Sequence, residues 1–211
     1  MIGLIKKELM LLTIGGKSIL LVLVVFLAIF LSSGSGEILS MVAVIMSLML
    51  SLTLFAYDTQ SKWDCYATVL PVGPKELVGA RYIVVGMIWT ASIIIALIFR
   101  IGLTLLPNAT VGTDFAQIVM ESLLPALAIA VVLAIALPLM YKFGVEKGRI
   151  FLFIVCIIPS IFIQTFLPRM GSMPEISLNT LMIILAVAGV LAVPISLWLS
   201  VRIYGNKDQF A

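Results

Sequence analysis

The sequence has 211 residues, of which 63% are hydrophobic and only 11% charged, with a formal net charge of +3. Soluble domains run nearer 45–50% apolar and about 25% charged, so water is excluded as the solvent for most of this surface. With no histidine and two distant cysteines, Cys65 and Cys156, the chain alone builds neither a zinc site nor a histidine-based triad.

The apolar residues come in blocks of roughly 20, the length that crosses a ~30 Å hydrocarbon core. Strand-length alternation is absent, which disfavours an outer-membrane barrel. The pattern predicts an all-α membrane protein, a single transmembrane domain over residues 1–211. Six spans are expected at about Lys17–Ser33, Ile38–Tyr57, Tyr82–Leu106, Ile118–Tyr141, Arg149–Leu167 and Leu178–Arg202. The basic residues fix the orientation. Lys6, Lys7 and Lys17 precede span one; Lys62, Lys75 and Arg81 follow span two; Lys142, Lys147 and Arg149 follow span four; Arg202 and Lys207 close the chain. Arg169 alone falls on the other side, and Arg100 lies within a span. By the positive-inside rule both termini and the even-numbered connections are cytoplasmic. The outer connections are short and carry Glu37, Asp114 and Glu175. The expected location is the bacterial cytoplasmic membrane, as a multi-pass protein with the lipid bilayer around it and no nucleic-acid partner.

The segment from Ile2 to Thr13 has Ile2, Ile5 and Leu9 on one helical face, with Leu12 nearby, and Lys6, Lys7, Glu8 and Thr13 on the other. That pattern predicts an interfacial amphipathic helix in the cytoplasmic headgroup layer. Gly15-Gly16 supplies a corner into span one, which reads as a retained span rather than a cleaved signal. Gly16-Lys17-Ser18 imitates the end of a phosphate-binding loop, but Leu11 stands where the leading glycine is required. In span two, Ser40, Ser47, Ser51 and Asp58 fall within about 20° of one line at 3.6 residues per turn. In span five, Arg149, Cys156, Ser160 and Gln164 drift little more. Such stripes read either as a polar path or as close helix packing through small residues.

The link from Asp58 to Arg81 is the largest piece outside the spans. Trp63, Tyr66, Ala67 and Leu70 follow i, i+3, i+4, i+7, and Ser61 with Asp64 has the spacing of a capping box. Pro71 stops this short helix, and Gly73-Pro74 restarts one, with Pro74 at the first helical position. Further along, Arg100 in span three and Glu121 in span four lie at matching depth, where a buried charge is normally paired. Pro125, Pro138, Pro159 and Pro194 each remove a backbone hydrogen bond from a span.

The run from Ser61 through Leu70-Pro71-Val72-Gly73-Pro74-Lys75-Glu76 to Arg81-Tyr82 resembles the segment between spans two and three of type-2 ABC exporter permeases. The leading amphipathic helix and the six-span plan resemble that family too, and the small size is similar to permeases of the staphylococcal phenol-soluble modulin exporter kind. One departure is Pro168–Ser177, too short for the re-entrant helices that many members carry before span six. The resemblance implies that Trp63, Asp64, Tyr66, Ala67, Leu70 and Pro71 form a short cytoplasmic coupling helix that enters a cleft of a cytoplasmic ABC ATPase subunit. It implies that spans two and five line a dimer interface, making Ser40, Ser47, Ser51, Ser160 and Gln164 candidates for the substrate path. The other permease would be a second copy or a related chain. No cofactor is expected in this chain; ATP and magnesium belong to the ATPase. The implied function is ATP-driven export of an amphipathic or hydrophobic substrate, peptides included. The rival reading is an ion- or proton-coupled secondary transporter. It calls for acids or histidine at mid-membrane depth, whereas Asp58 and Glu121 both lie near interfaces.

Overall fold

The computed structural model describes residues 2–13, 24, 36–67, 69–104, 115–166 and 178–206. Within helices, the side chains of Ser40, Asp64, Glu121, Cys156, Ser160 and Gln164 are not among those described. The expected first span lies outside the described residues except for Val24, and so do the connections that carry Asp114, Arg169 and Glu175.

All regular structure among the described residues is helical. In chain order it comprises α1 (2–13), α2 (Gly36–Gln60), α3 (Trp63–Ala67), α4 (Pro74–Thr104), α5 (Phe115–Phe166) and α6 (Leu178–Gly205). Three stretches are long and apolar enough to cross a membrane: Pro74–Gly102, Ile118–Val155 and Thr180–Gly205, with Val44–Gln60 as a shorter apolar helix. Their outward surfaces are rich in uncovered apolar side chains, such as Ile94 and Ile98 on α4 and Val190 and Ile195 on α6. A lipid-facing protein has this distribution, and the chain is an all-α membrane protein.

The described chain divides into two compact units, one built on residues up to Ala130 and the other on Val131–Lys207. In the first, α2 packs along α4. Leu54, Val84 and Ile88 are buried between them, and Ile5, Leu11 and Leu12 of α1 close over this cluster with Leu50. The hydroxyls along these helices are satisfied locally, as they must be without water. Ser92 Oγ donates to the carbonyl of Trp89 (2.7 Å), and Ser122 Oγ to that of Ile118 (2.8 Å). Trp89 Nε1 donates across to the Ala126 carbonyl on α5 at 2.9 Å.

In α1, Ile5 and Leu12 turn toward α2 and α4, whereas Ile2 and Leu9, on the apolar face expected to meet lipid headgroups, are exposed. Glu8 is buried because it has charged partners inside.

The second unit contains a reversal. Helical geometry runs from Phe115 to Phe166 with one break, Gly144, at φ 77° and ψ 178°. A methyl group built on Gly148 would meet the Met140 Cα at 3.3 Å, and the Phe143 and Phe151 rings stack at 4.5 Å. Eight residues along a straight helix would lie about 12 Å apart, so the chain doubles back at Gly144. The sequence reading placed a connection from Lys142 to Gly148 between spans; the helices run through it, and one residue makes the turn. Only glycine tolerates this backbone conformation without strain.

Candidate functional site

The site is assembled where α1, the end of α2, α3 and the start of α4 meet. α2 ends as Ser61 N–H donates to the Tyr57 carbonyl (2.9 Å) and Lys62 adopts a left-handed φ of 51°. Ser61 Oγ donates back to the Asp58 carbonyl at 3.2 Å. It therefore helps to close α2; the side chain of Asp64, the other member of the capping box expected for α3, lies outside the described residues. α3 opens with a tight turn, Cys65 N–H to Lys62 carbonyl at 3.0 Å, and lasts only to Ala67. α4 starts as the sequence predicts: the Gly73 carbonyl accepts from Glu76 (3.0 Å) and Leu77 (3.2 Å), with Pro74 first in the helix. Glu76 in the first turn complements the helix dipole.

Four charges form a closed ring beneath this turn. Arg81 of α4 binds Glu8 of α1 at 2.8 Å and also Asp58 of α2. Lys7 binds its neighbour Glu8 at 3.1 Å and also Asp58. Each cation thus touches both anions, and the ring is neutral. The side chains of Arg81 and Glu8 are only 5% and 7% exposed, with Asp58 and Lys7 partly buried. Burying one such charge alone costs several kcal/mol, so the ring exists because all four members are present. Two aromatic faces complete it: Lys7 Nζ lies 4.1 Å from the centre of the Trp63 ring, and the Arg81 guanidinium 4.6 Å from that of Phe55. Cation–π contacts of this kind strengthen as water is excluded. The ring fastens α1, α2 and α4 together, and Lys7 extends the fastening to α3.

The residues expected to form a coupling helix are split by this arrangement. Ala67 is buried and Trp63 half-buried beneath Lys7, whereas Tyr66 (65% exposed), Leu70 and Pro71 face outward. The i, i+7 spacing from Trp63 to Leu70 does not define one face because the helix ends after five residues. Val69, absent from the sequence prediction, is 84% exposed beside Tyr66 and Leu70. Its signal was available: an apolar residue in a turn between a short helix and a proline has nothing local to cover it.

The expected path residues are also placed. Ser47 and Ser51 are buried, their hydroxyls donating to the carbonyls of Val44 (2.6 Å) and Ser47 (2.8 Å). Asp58, at the end of their line, is taken up by the charge ring. Ser40, Ser160 and Gln164 are helical, and their side chains lie outside the described residues. Arg100 is only 2% exposed, so it does not reach out of the chain; the side chain of its expected partner, Glu121, is outside the described residues. The ring itself was missed from sequence, where Lys7 and Arg81 counted only as orientation signals.

No curated protein and no solved structure matches the chain significantly. Residues 3–205 match the family described as ABC-2 family transporter protein. That match takes in α1, the charge ring, the α3 turn and the reversal at Gly144, so it spans the architecture rather than a fragment of it. The chain belongs to the ABC-2 transporter family, whose membrane components conduct transport and are not themselves catalytic.

Proposed function

We propose that this chain is the permease subunit of an ATP-driven exporter in a bacterial cytoplasmic membrane, with six spans and both termini in the cytoplasm. Two permease subunits would enclose the route, and each would bind one cytoplasmic ABC ATPase. The substrate class is amphipathic or hydrophobic, peptides included, moved along the faces of spans two and five. Family membership supports the permease assignment, and the charge bias supports the topology.

The observation that carries the coupling role is the outward apolar knob of Tyr66, Val69 and Leu70, mounted on a base of buried Ala67 and half-buried Trp63. A partner ATPase would cover this knob, and its closure would push the α3 turn. Through Lys7 on Trp63 and the charge ring, that push would reach α1, α2 and α4 as one body. In this reading Trp63 is a strut rather than the docking residue, and Tyr66 is the anchor, in keeping with the frequency of tyrosine at interface hot spots.

Co-purification with a co-expressed cytoplasmic ABC ATPase tests the role. Tyr66→Ala with Val69→Ala should leave insertion and melting temperature unchanged while weakening ATPase retention at least tenfold. Wild-type retention and transport would remove the knob from the mechanism. Transport that persists without any ATPase and collapses with the proton gradient would favour the secondary-transporter reading.

A further inference from the structure

The second unit carries a groove that the proposed transport cycle does not use. It has a volume of about 740 Å³ and runs between the 134–143 arm of α5 and the 192–206 stretch of α6. Its walls are apolar for most of its length, from Ala134 and Ala192 onward; at one end stand Lys142, Arg202 and Asn206. Along α6 it extends about 21 Å at 1.5 Å per residue, more than the ~15 Å depth of one leaflet. The Tyr141 and Tyr204 rings meet edge to face at 5.6 Å and tie the two helices together near the charged end.

We propose that this groove binds one anionic phospholipid, its phosphate held between Lys142 and Arg202 and an acyl chain laid along the apolar walls. Three observations select this occupant. Among the described residues, the lining holds two cations and an amide donor but no carboxylate. Among the described residues no ion pair engages either cation; each rests only over an aromatic face, Lys142 at 5.1 Å from the Phe143 centroid and Arg202 at 5.4 Å from that of Trp198. Both helices belong to stretches apolar enough to cross a membrane, so the apolar part of the groove opens toward lipid tails and the cations fall at headgroup depth. An exposed tryptophan beside the arginine suits the same boundary layer. A second protein copy would meet two cations with no ion-pair partner among the described residues, whereas an anionic lipid supplies both counter-charge and hydrocarbon.

Native mass spectrometry of the full-length chain in detergent tests this directly, with phosphatidylglycerol and phosphatidylcholine titrated separately. The expected result is one retained phosphatidylglycerol per chain, bound at least tenfold more tightly than phosphatidylcholine. Each surface cation contributes about fivefold to anionic-lipid attraction, so Lys142→Gln with Arg202→Gln should weaken phosphatidylglycerol by roughly thirtyfold and erase the headgroup preference. Lys75→Gln, a cation of the first unit, should leave it intact. Ala192→Phe, which fills the groove, should lower retention of both lipids; if that variant does not fold, the exposed Gln pair decides. Equal retention of the two lipids, or phosphatidylglycerol retention untouched by the Gln pair, overturns the proposal. So does displacement of the lipid by millimolar inorganic phosphate, or a change of oligomeric state in place of lipid loss.

Discussion

The two units treat the same residue types in opposite ways. In the first, Lys7 and Arg81 are drawn inward and locked against Glu8 and Asp58. In the second, Lys142 and Arg202 stay exposed, lean on aromatic rings and, among the described residues, have no carboxylate in the groove they line. The difference lies in what each end must do. A buried ring holds helices rigidly because loss of any member strands a charge, whereas exposed cations hold nothing together and remain available to something outside the chain. Both pairs contribute equally to the positive-inside count, so that count cannot tell a structural cation from a binding one.

The comparison breaks most visibly at Arg81. Arg81→Met leaves Glu8 and Asp58 buried with only Lys7 between them, and should cost about 3–5 kcal/mol, read as a large fall in the melting temperature of the detergent-solubilised chain. Glu8→Met added to Arg81→Met should recover part of that loss, since it removes the stranded charge. A cost under ~1 kcal/mol for Arg81→Met would mean that water reaches the ring. Next in size is the turn of the second unit. Gly144→Ala forces a side chain into a glycine-only conformation and should cost about 1–3 kcal/mol; a neutral result would show that the reversal is made differently. Smaller still is the link from ring to α3: a double-mutant cycle between Lys7→Met and Trp63→Leu should give a coupling of about 0.5–2 kcal/mol. Zero coupling would detach the knob from the ring. The smallest effect belongs to the exposed pair, since Lys142→Gln and Arg202→Gln should each change stability by less than ~1 kcal/mol. A loss as large as that at Arg81 would erase the contrast between the two units.

The helical organisation was legible because bands of about 20 apolar residues leave few alternatives in a bilayer. The restart at Gly73-Pro74 was legible as well, because proline at the first helical position forfeits no helix hydrogen bond. The ring was not, since it joins residues 51 and 73 positions apart and each member has an adequate local explanation. Glu8 shows the cost of reading one helix by itself: its face looked solvated until Arg81, on another helix, supplied a reason to bury it. The α3 turn was half legible. Its composition announced an apolar element, but periodicity carried the helix on to Leu70, whereas the backbone stops at Ala67 and turns Val69 outward. At Gly144 the reversal was anticipated; its economy was not, because ordinary helix connections use two to eight residues.

That economy bears on how the two arms are held together. The arms on either side of Gly144 are joined by a single residue, with Lys142, Lys147 and Arg149 flanking the turn. No loop residues take up slack between them, so the packing of one arm on the other hangs on a single backbone conformation. A flexible glycine–serine insert at the turn would release that constraint, and the arms would then be held together by their side-chain contacts alone.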